Sequence, residues 1–220
     1  MADLQSIAWL WSKYLGRKGF IVDVGAFNGI GGSLSRQLLD RGGWPGIVID
    51  PLPSNVKGLH VLYDGRDDIT IVPAAISNES GVGNLLPCGM VSTLSERWAE
   101  LGAAWFEKVN YGPPISVRLA TLAEVLEECN APQQIDVLKT DAEGYDFQVL
   151  QGMDWEKYTV DTLIVETAGF CELPVKKLWQ PKPDLLAFLD SKGFKHVHCT
   201  TRGNAWFLPK DVEFDITRIE

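Results

Sequence analysis

Carboxylates stand at the ends of the chain's most apolar runs, and they are the residues whose types and spacing could do chemistry. Asp23 sits inside Phe20-Ile21-Val22-Asp23-Val24, Asp50 closes Gly46-Ile47-Val48-Ile49, and Glu166 closes Thr162-Leu163-Ile164-Val165. Asp141 and Glu143 follow Ile135-Asp136-Val137-Leu138-Lys139-Thr140 in an Asp-x-Glu-Gly turn. Carboxylates at successive strand ends can act as a general base, bind substrate hydroxyls or hold a divalent cation, and the sequence leaves all three readings open. Asp141 and Glu143 are the first candidates for the base, with Glu166 and His198 behind them. His196 and His198 lie two apart, on one face of a strand, where they can complete a proton-transfer or metal site or simply be solvated. The acids of the Asp-x-Glu-Gly turn have a simpler role available too, since negative charge favours a helix N-terminus.

A glycine turn accompanies the first acid. Phe20 to Val24 runs into Gly25-Ala26-Phe27-Asn28-Gly29, and glycine lets a backbone turn sharply from strand to helix and approach a ligand closely. The spacing departs from the dinucleotide fingerprint G-x-G-x-x-G/A, and no Lys-Ser/Thr pair follows to anchor a phosphate. Asp50, about twenty residues after the turn, falls where a ribose-binding carboxylate is expected. Asp23 before the turn points to a cationic, phosphate-free ligand such as S-adenosylmethionine.

Positioning these groups requires a sheet. Apolar runs predict strands near 20–24, 46–50, 69–73, 135–140, 161–166, 194–199 and 204–208, and helical patterns fall near 31–41, 53–62, 121–129, 146–150 and 182–192. Fully apolar strands alternating with helices predict an α/β, Rossmann-like fold: a mostly parallel seven-stranded sheet with helices on both faces. The last two strands are separated by Thr200-Thr201-Arg202-Gly203, too short for a crossover, so they should form an antiparallel hairpin. Ligands of such sheets bind beyond the carboxyl ends of the strands, which puts Gly25, Asp50, Asp141 and Glu143 around one crevice. An N-terminal helix about 3–16 precedes the sheet. The Gly- and Pro-bearing segment 82–117, with Trp98, Trp105 and Phe106, does not fit the βα rhythm and is a candidate lid or substrate insertion.

The 220 residues fit one domain, 1–220, and 45% apolar with 22% charged residues is an ordinary globular composition. A net charge of -9 argues against nucleic acid or an anionic membrane as partner. The first residues lack a basic segment followed by a long apolar core, so a cytoplasmic location is expected. Cys88, Cys129, Cys171 and Cys199 are widely spaced and read as free thiols rather than a zinc site or a disulfide framework.

Taken together, Phe20 to Gly29, Trp44 to Pro53, Ser92-Thr93-Leu94, Val117 to Leu122 and Ile135 to Gly152 resemble the FkbM-type S-adenosylmethionine-dependent methyltransferases, over roughly residues 18–210. The resemblance implies that Gly25, Ala26, Asn28 and Gly29 approach the methionine part of the cofactor. It also implies that Asp50 binds the ribose diol and that Ala74, Ala75 and Ile76 flank the adenine. Asp23, Pro51 and Asp141 are grouped with these cofactor-binding residues. Ala26-Phe27-Asn28 departs from the family's usual Ala-Asn-x, and Asp50 replaces the commoner Glu. The implied activity is O-methylation of a hydroxyl on a small molecule or carbohydrate, by a monomer or homodimer; a divalent cation is a further candidate cofactor from the strand-end carboxylates, not from the resemblance. A cofactor-binding protein without turnover and an NAD-dependent oxidoreductase are the competing readings.

Overall fold

A computed structural model describes residues 13–14, 17–30, 35–105, 109–167, 183–199 and 203–213. Its main sheet has seven strands: β1 (Ile21–Val24), β2 (Gly46–Ile49), β3 (Ile69–Val72), β7 (Gln134–Thr140), β8 (Thr159–Glu166), β9 (Phe194–Cys199) and β10 (Asn204–Pro209). Their order across the sheet is β3-β2-β1-β7-β8-β10-β9. β1, β2, β3, β7 and β8 pair in parallel, and β10 runs antiparallel to both β8 and β9. The hairpin read from the short Thr200–Gly203 connection is therefore present, with its second strand inserted beside β8.

Period-two alternation sends neighbouring residues into two cores, which is why the central strands are apolar on both faces. Val22, Val24, Ile47, Ile49 and Leu138 face a core closed by helices α3 (Leu122–Glu128), α4 (Asp146–Gln151) and α5 (Pro183–Ser191). Ile21, Val48, Val137 and Ile164 face the other core, with Tyr14, Leu38, Leu39, Trp44 and Leu59 of helix α1 (Pro53–Leu62). Local signals start the helices where expected: Pro53 opens α1 without forfeiting a needed N–H, and Thr121 and Glu124 form a reciprocal capping box on α3.

Two segments differ in detail from the expected elements. The helix read over 31–41 is present where described, α-helical at Ser35 and Arg36 and π-helical over Gln37–Arg41; Gly42 N donates five residues back to Gln37 O, and glycine then breaks the run. Segment 82–117, the candidate lid or substrate insertion, carries regular elements of its own. It supplies nearly all of β5 (Gly81–Leu85), a 3₁₀ turn (Gly89–Val91), helix α2 (Glu96–Trp105) and the start of β6 (Ile115–Thr121). β6 lies between β5 and β4 (Ala75–Ser77) in a second, three-stranded sheet. β5 is mostly exposed and carries two glycines, so it has no apolar run to betray it. Of the N-terminal helix expected over 3–16, only Lys13 and Tyr14 lie within the described residues, and both are helical; Cys171 and Phe106 lie outside them. Among the described residues no helix is long and apolar enough to cross a membrane.

Candidate functional site

The strand order reverses between β1 and β7, and the loops leaving their carboxyl ends open a cavity there. Gly25, Phe27, Asp50, Pro51 and Asn55 form one side, and Asp141, Ala142, Glu143 and Tyr145 another. Ala74, Ala75, Ile76 and Leu85 provide an apolar wall, and Met90, Thr93 and Leu94 approach from the segment before α2. The cavity thus brings together Gly25, Asp50, Pro51, Ala74, Ala75, Ile76, Asp141 and Glu143 of the residues singled out in the sequence. Asp23, Ala26, Asn28, Gly29, Glu166 and His198 do not line it.

The turn after β1 is held by its own backbone. Gly25 N and Ala26 N both donate to Ile49 O, and Gly29 N donates to Ala26 O. Gly25 has φ 76°, and a Cβ there would stand 1.8 Å from the Asp141 carbonyl oxygen. Its lack of a side chain is thus required by the close approach of the β1 and β7 loops, and the same approach places Asp141 in the cavity. Phe27 also adopts a left-handed φ, 52°, a conformation costly for a bulky residue and easier for the Asn usual in the resembled family. Gly29 packs against Leu59 and Leu62 of α1, not toward the cavity.

Asp50 is buried and serves this turn first. Phe27 N donates to its Oδ2 at 2.9 Å, while Leu52 N and Asn55 Nδ2 donate to Oδ1 at 2.9 and 3.0 Å. A carboxylate offers about four acceptor positions, so roughly one remains, on Oδ2. Burial pushes the Asp50 carboxyl up to about 6, against the opposing pull of the three hydrogen bonds.

Asp23 takes a different part from the one its sequence position suggested. It is buried, directly opposite Lys139 in the β1–β7 register, and receives a 3.0 Å ion pair from Lys139 Nζ and a hydrogen bond from Ser35 Oγ. Its charge therefore faces an internal ammonium. Lys139 also reaches Asp141 Oδ2 at 3.4 Å. Burial works against the lysine's charge, but Asp23 and Asp141 overcome it and hold the ammonium well above its usual range.

Glu143 and Gly144 both have positive φ, 48° and 92°, so the chain turns left-handed just after β7. Thr93 Oγ1 donates to the Glu143 carbonyl at 2.7 Å, and Trp98 Nε1 of α2 donates to its carboxylate at 2.8 Å. One carboxylate oxygen each of Asp141, Glu143 and Glu166 lies within 4.8 Å of the others. Asp146, fully buried at the start of α4, receives the Ala142 N–H beside them. Burial first, and the Asp141 charge second, push the Glu143, Asp146 and Glu166 carboxyls upward. His198 stands on β9, two strands from β8, and is not part of this group.

Sequence reasoning missed Asn55, Lys139, Thr93 and Trp98 as site residues. Thr93 and Trp98 were visible only as members of a suggestive segment, and Lys139 is tied to Asp23 by strand register, which one sequence does not display.

The profile of the methyltransferase FkbM domain matches residues 23–195. Among solved structures, a methyltransferase FkbM from Methylobacillus flagellatus KT aligns with 94% of the chain at 14% identity and a TM-score of 0.53, and the chain spans 48% of that protein. Monomeric WbdD aligns with 94% at 15% identity and a TM-score of 0.45, over 41% of its own length. A precorrin-6y C5,15-methyltransferase from Geobacter metallireducens GS-15 aligns with 93% at 9% identity and a TM-score of 0.46, over 85% of its length. No curated protein matches the chain.

Proposed function

The chain belongs to the FkbM methyltransferase domain family, and from that premise we propose that it methylates a hydroxyl of a small molecule or carbohydrate, using S-adenosylmethionine. The observation that carries this reading is the polarity of one cavity. A remaining acceptor on Asp50 Oδ2 lies on one side, an apolar wall of Ala74, Ala75, Ile76 and Leu85 on another, and the Asp141 and Glu143 carboxylates beyond. These residues fit the cofactor: the wall accepts a flat heterocycle, Asp50 accepts from a ribose hydroxyl, and the acids suit a ligand bearing ammonium and sulfonium charge. When bound, S-adenosylmethionine supplies an electrophilic methyl group.

Asp50 accommodates a single new hydroxyl rather than a full diol pair on free oxygens, because three donors of its own chain already occupy it. Methyl transfer to an oxygen depends mainly on alignment, which can supply about 7–11 kcal/mol, whereas a general base contributes about 3–5 kcal/mol. The rigid β1 and β7 loops, locked together at Gly25, do the aligning. Asp141 and Glu143, which line the cavity, are the residues placed to accept the hydroxyl proton. Glu166 does not line the cavity and instead feels the Asp141 and Glu143 charges, and His198 stands two strands away.

The test is incubation of the protein with methyl-labelled S-adenosylmethionine and a panel of sugar and phenolic alcohols. The expected result is label on an acceptor oxygen with stoichiometric S-adenosylhomocysteine. Tight S-adenosylmethionine binding with no turnover on any acceptor would favour a binding protein, and no binding at all would end the cofactor assignment.

A further inference from the structure

We propose that Asp141, Glu143 and Glu166 form a binding site for one hard divalent cation at the carboxyl ends of β7 and β8. Their three carboxylate oxygens lie within 4.8 Å of one another. Two oxygens on one ion are at most about 4.2 Å apart when the bonds are about 2.1 Å, as for Mg²⁺, and at most about 4.8 Å when they are about 2.4 Å, as for Ca²⁺. The spacing therefore admits a single larger cation, and a small inward movement admits Mg²⁺ or Mn²⁺.

A second observation points the same way. Glu166 Oε2 is buried, has no hydrogen-bond donor, and belongs to the group that faces Asp141 and Glu143. A buried carboxylate oxygen left unsatisfied is costly, and the other two acids, when ionised, can only accept. Charge adds to the case. The Asp141, Glu143 and Asp146 charges all bear on Glu166, and the nearby Lys139 ammonium is already committed to Asp23 and Asp141. An all-oxygen, all-carboxylate donor set selects Mg²⁺, Mn²⁺ or Ca²⁺ over softer metals. Asp141 and Glu143 border the cavity whereas Glu166 lies behind them, so a cation here has protein on one side and open positions on the cavity side for water or an acceptor oxygen.

The experiment is a Mn²⁺ titration of the full chain without any cofactor, followed by electron paramagnetic resonance of the free ion and by calorimetry. One Mn²⁺ per chain with a dissociation constant of about 1 mM or tighter is expected. Glu166→Gln, which keeps shape but removes charge, should weaken it by about tenfold or more. Glu128→Gln, which alters an exposed acid paired with Arg118, should leave it unchanged. No bound Mn²⁺, or equal weakening by both variants, overturns the site. S-adenosylhomocysteine binding, measured separately in chelator, keeps the two readings distinguishable: cofactor binding without Mn²⁺ binding sinks only the cation site, and the converse sinks only the cofactor assignment.

Discussion

With the cofactor's ribose on Asp50, as proposed, cofactor affinity should depend on pH in a way the hydrogen bonds define. Leu52 N and Asn55 Nδ2 occupy Oδ1 and Phe27 N occupies one position of Oδ2, so the next proton and the ribose hydroxyl compete for the same remaining acceptor. With the carboxyl at about 6, the apparent dissociation constant scales as one plus the ratio of protonated to ionised Asp50. That factor is about 1.1 at pH 7 and about 11 at pH 5, so affinity should fall about tenfold across the interval, or about 1.4 kcal/mol. Stability moves the opposite way. The folded carboxyl is raised above its usual 3.8, so the folded state holds the extra proton and the Asp50 contribution becomes less unfavourable as pH falls from about 6 toward 4. Its full span is about 3 kcal/mol.

The assay is calorimetric titration with S-adenosylhomocysteine at pH 5, 6 and 7 in chelator, with wild type beside Asp50→Asn. The variant should bind more weakly and without the tenfold slope. A flat wild-type profile would refute the competition, and an undiminished slope in Asp50→Asn would assign it to another group.

Two further outcomes follow from the packing of the turn. Gly25→Ala forces a Cβ to 1.8 Å from the Asp141 carbonyl at φ 76°; strain of about 1–2 kcal/mol plus displacement of the β1 and β7 loops should cost about 3 kcal/mol or more by urea unfolding, and a cost under about 1 kcal/mol would contradict the geometry. Lys139→Met leaves the buried Asp23 carboxylate unpaired, so thermal unfolding should show a loss of about 3–5 kcal/mol, largely recovered in Asp23→Asn/Lys139→Met; an equally unstable double variant would show that the lysine acts through Asp141 instead.

The main sheet was legible because its strands are apolar on both faces and end in acids, which marks both element and direction. Val22 and Ile47 could sit nowhere else, and Asp50, Asp141 and Glu143 fall at strand ends by spacing alone. What stayed hidden depends on register and on side-chain reach. Asp23 reads as a ligand acid until the β1–β7 pairing sets it opposite Lys139. Gly25 is legible as a turn glycine, but the Asp141 carbonyl standing where its Cβ would be is not. β5 escaped because its residues are exposed and glycine-bearing, and His198 was misplaced because β10 inserts between β8 and β9, carrying the histidine away from Glu166.

The same hydrogen bonds bear on which ligand the turn can accept. A phosphate-binding loop needs free N–H groups at the start of a helix. Here the amides of Gly25, Ala26, Phe27 and Gly29 are all spent within the protein, on Ile49, Asp50 and Ala26. The side chains facing the cavity from Asp50, Asp141 and Glu143 are acceptors when ionised. A dinucleotide would bring its phosphates to a wall of like charge with those amide donors already engaged. A ligand with sugar hydroxyls and with ammonium and sulfonium charge brings donors and positive charge to these acceptors, and its single carboxylate must lie away from them. The altered Phe27 does not break this pattern, since what the turn requires of it is a backbone N–H for Asp50, at a left-handed φ that its side chain tolerates with strain.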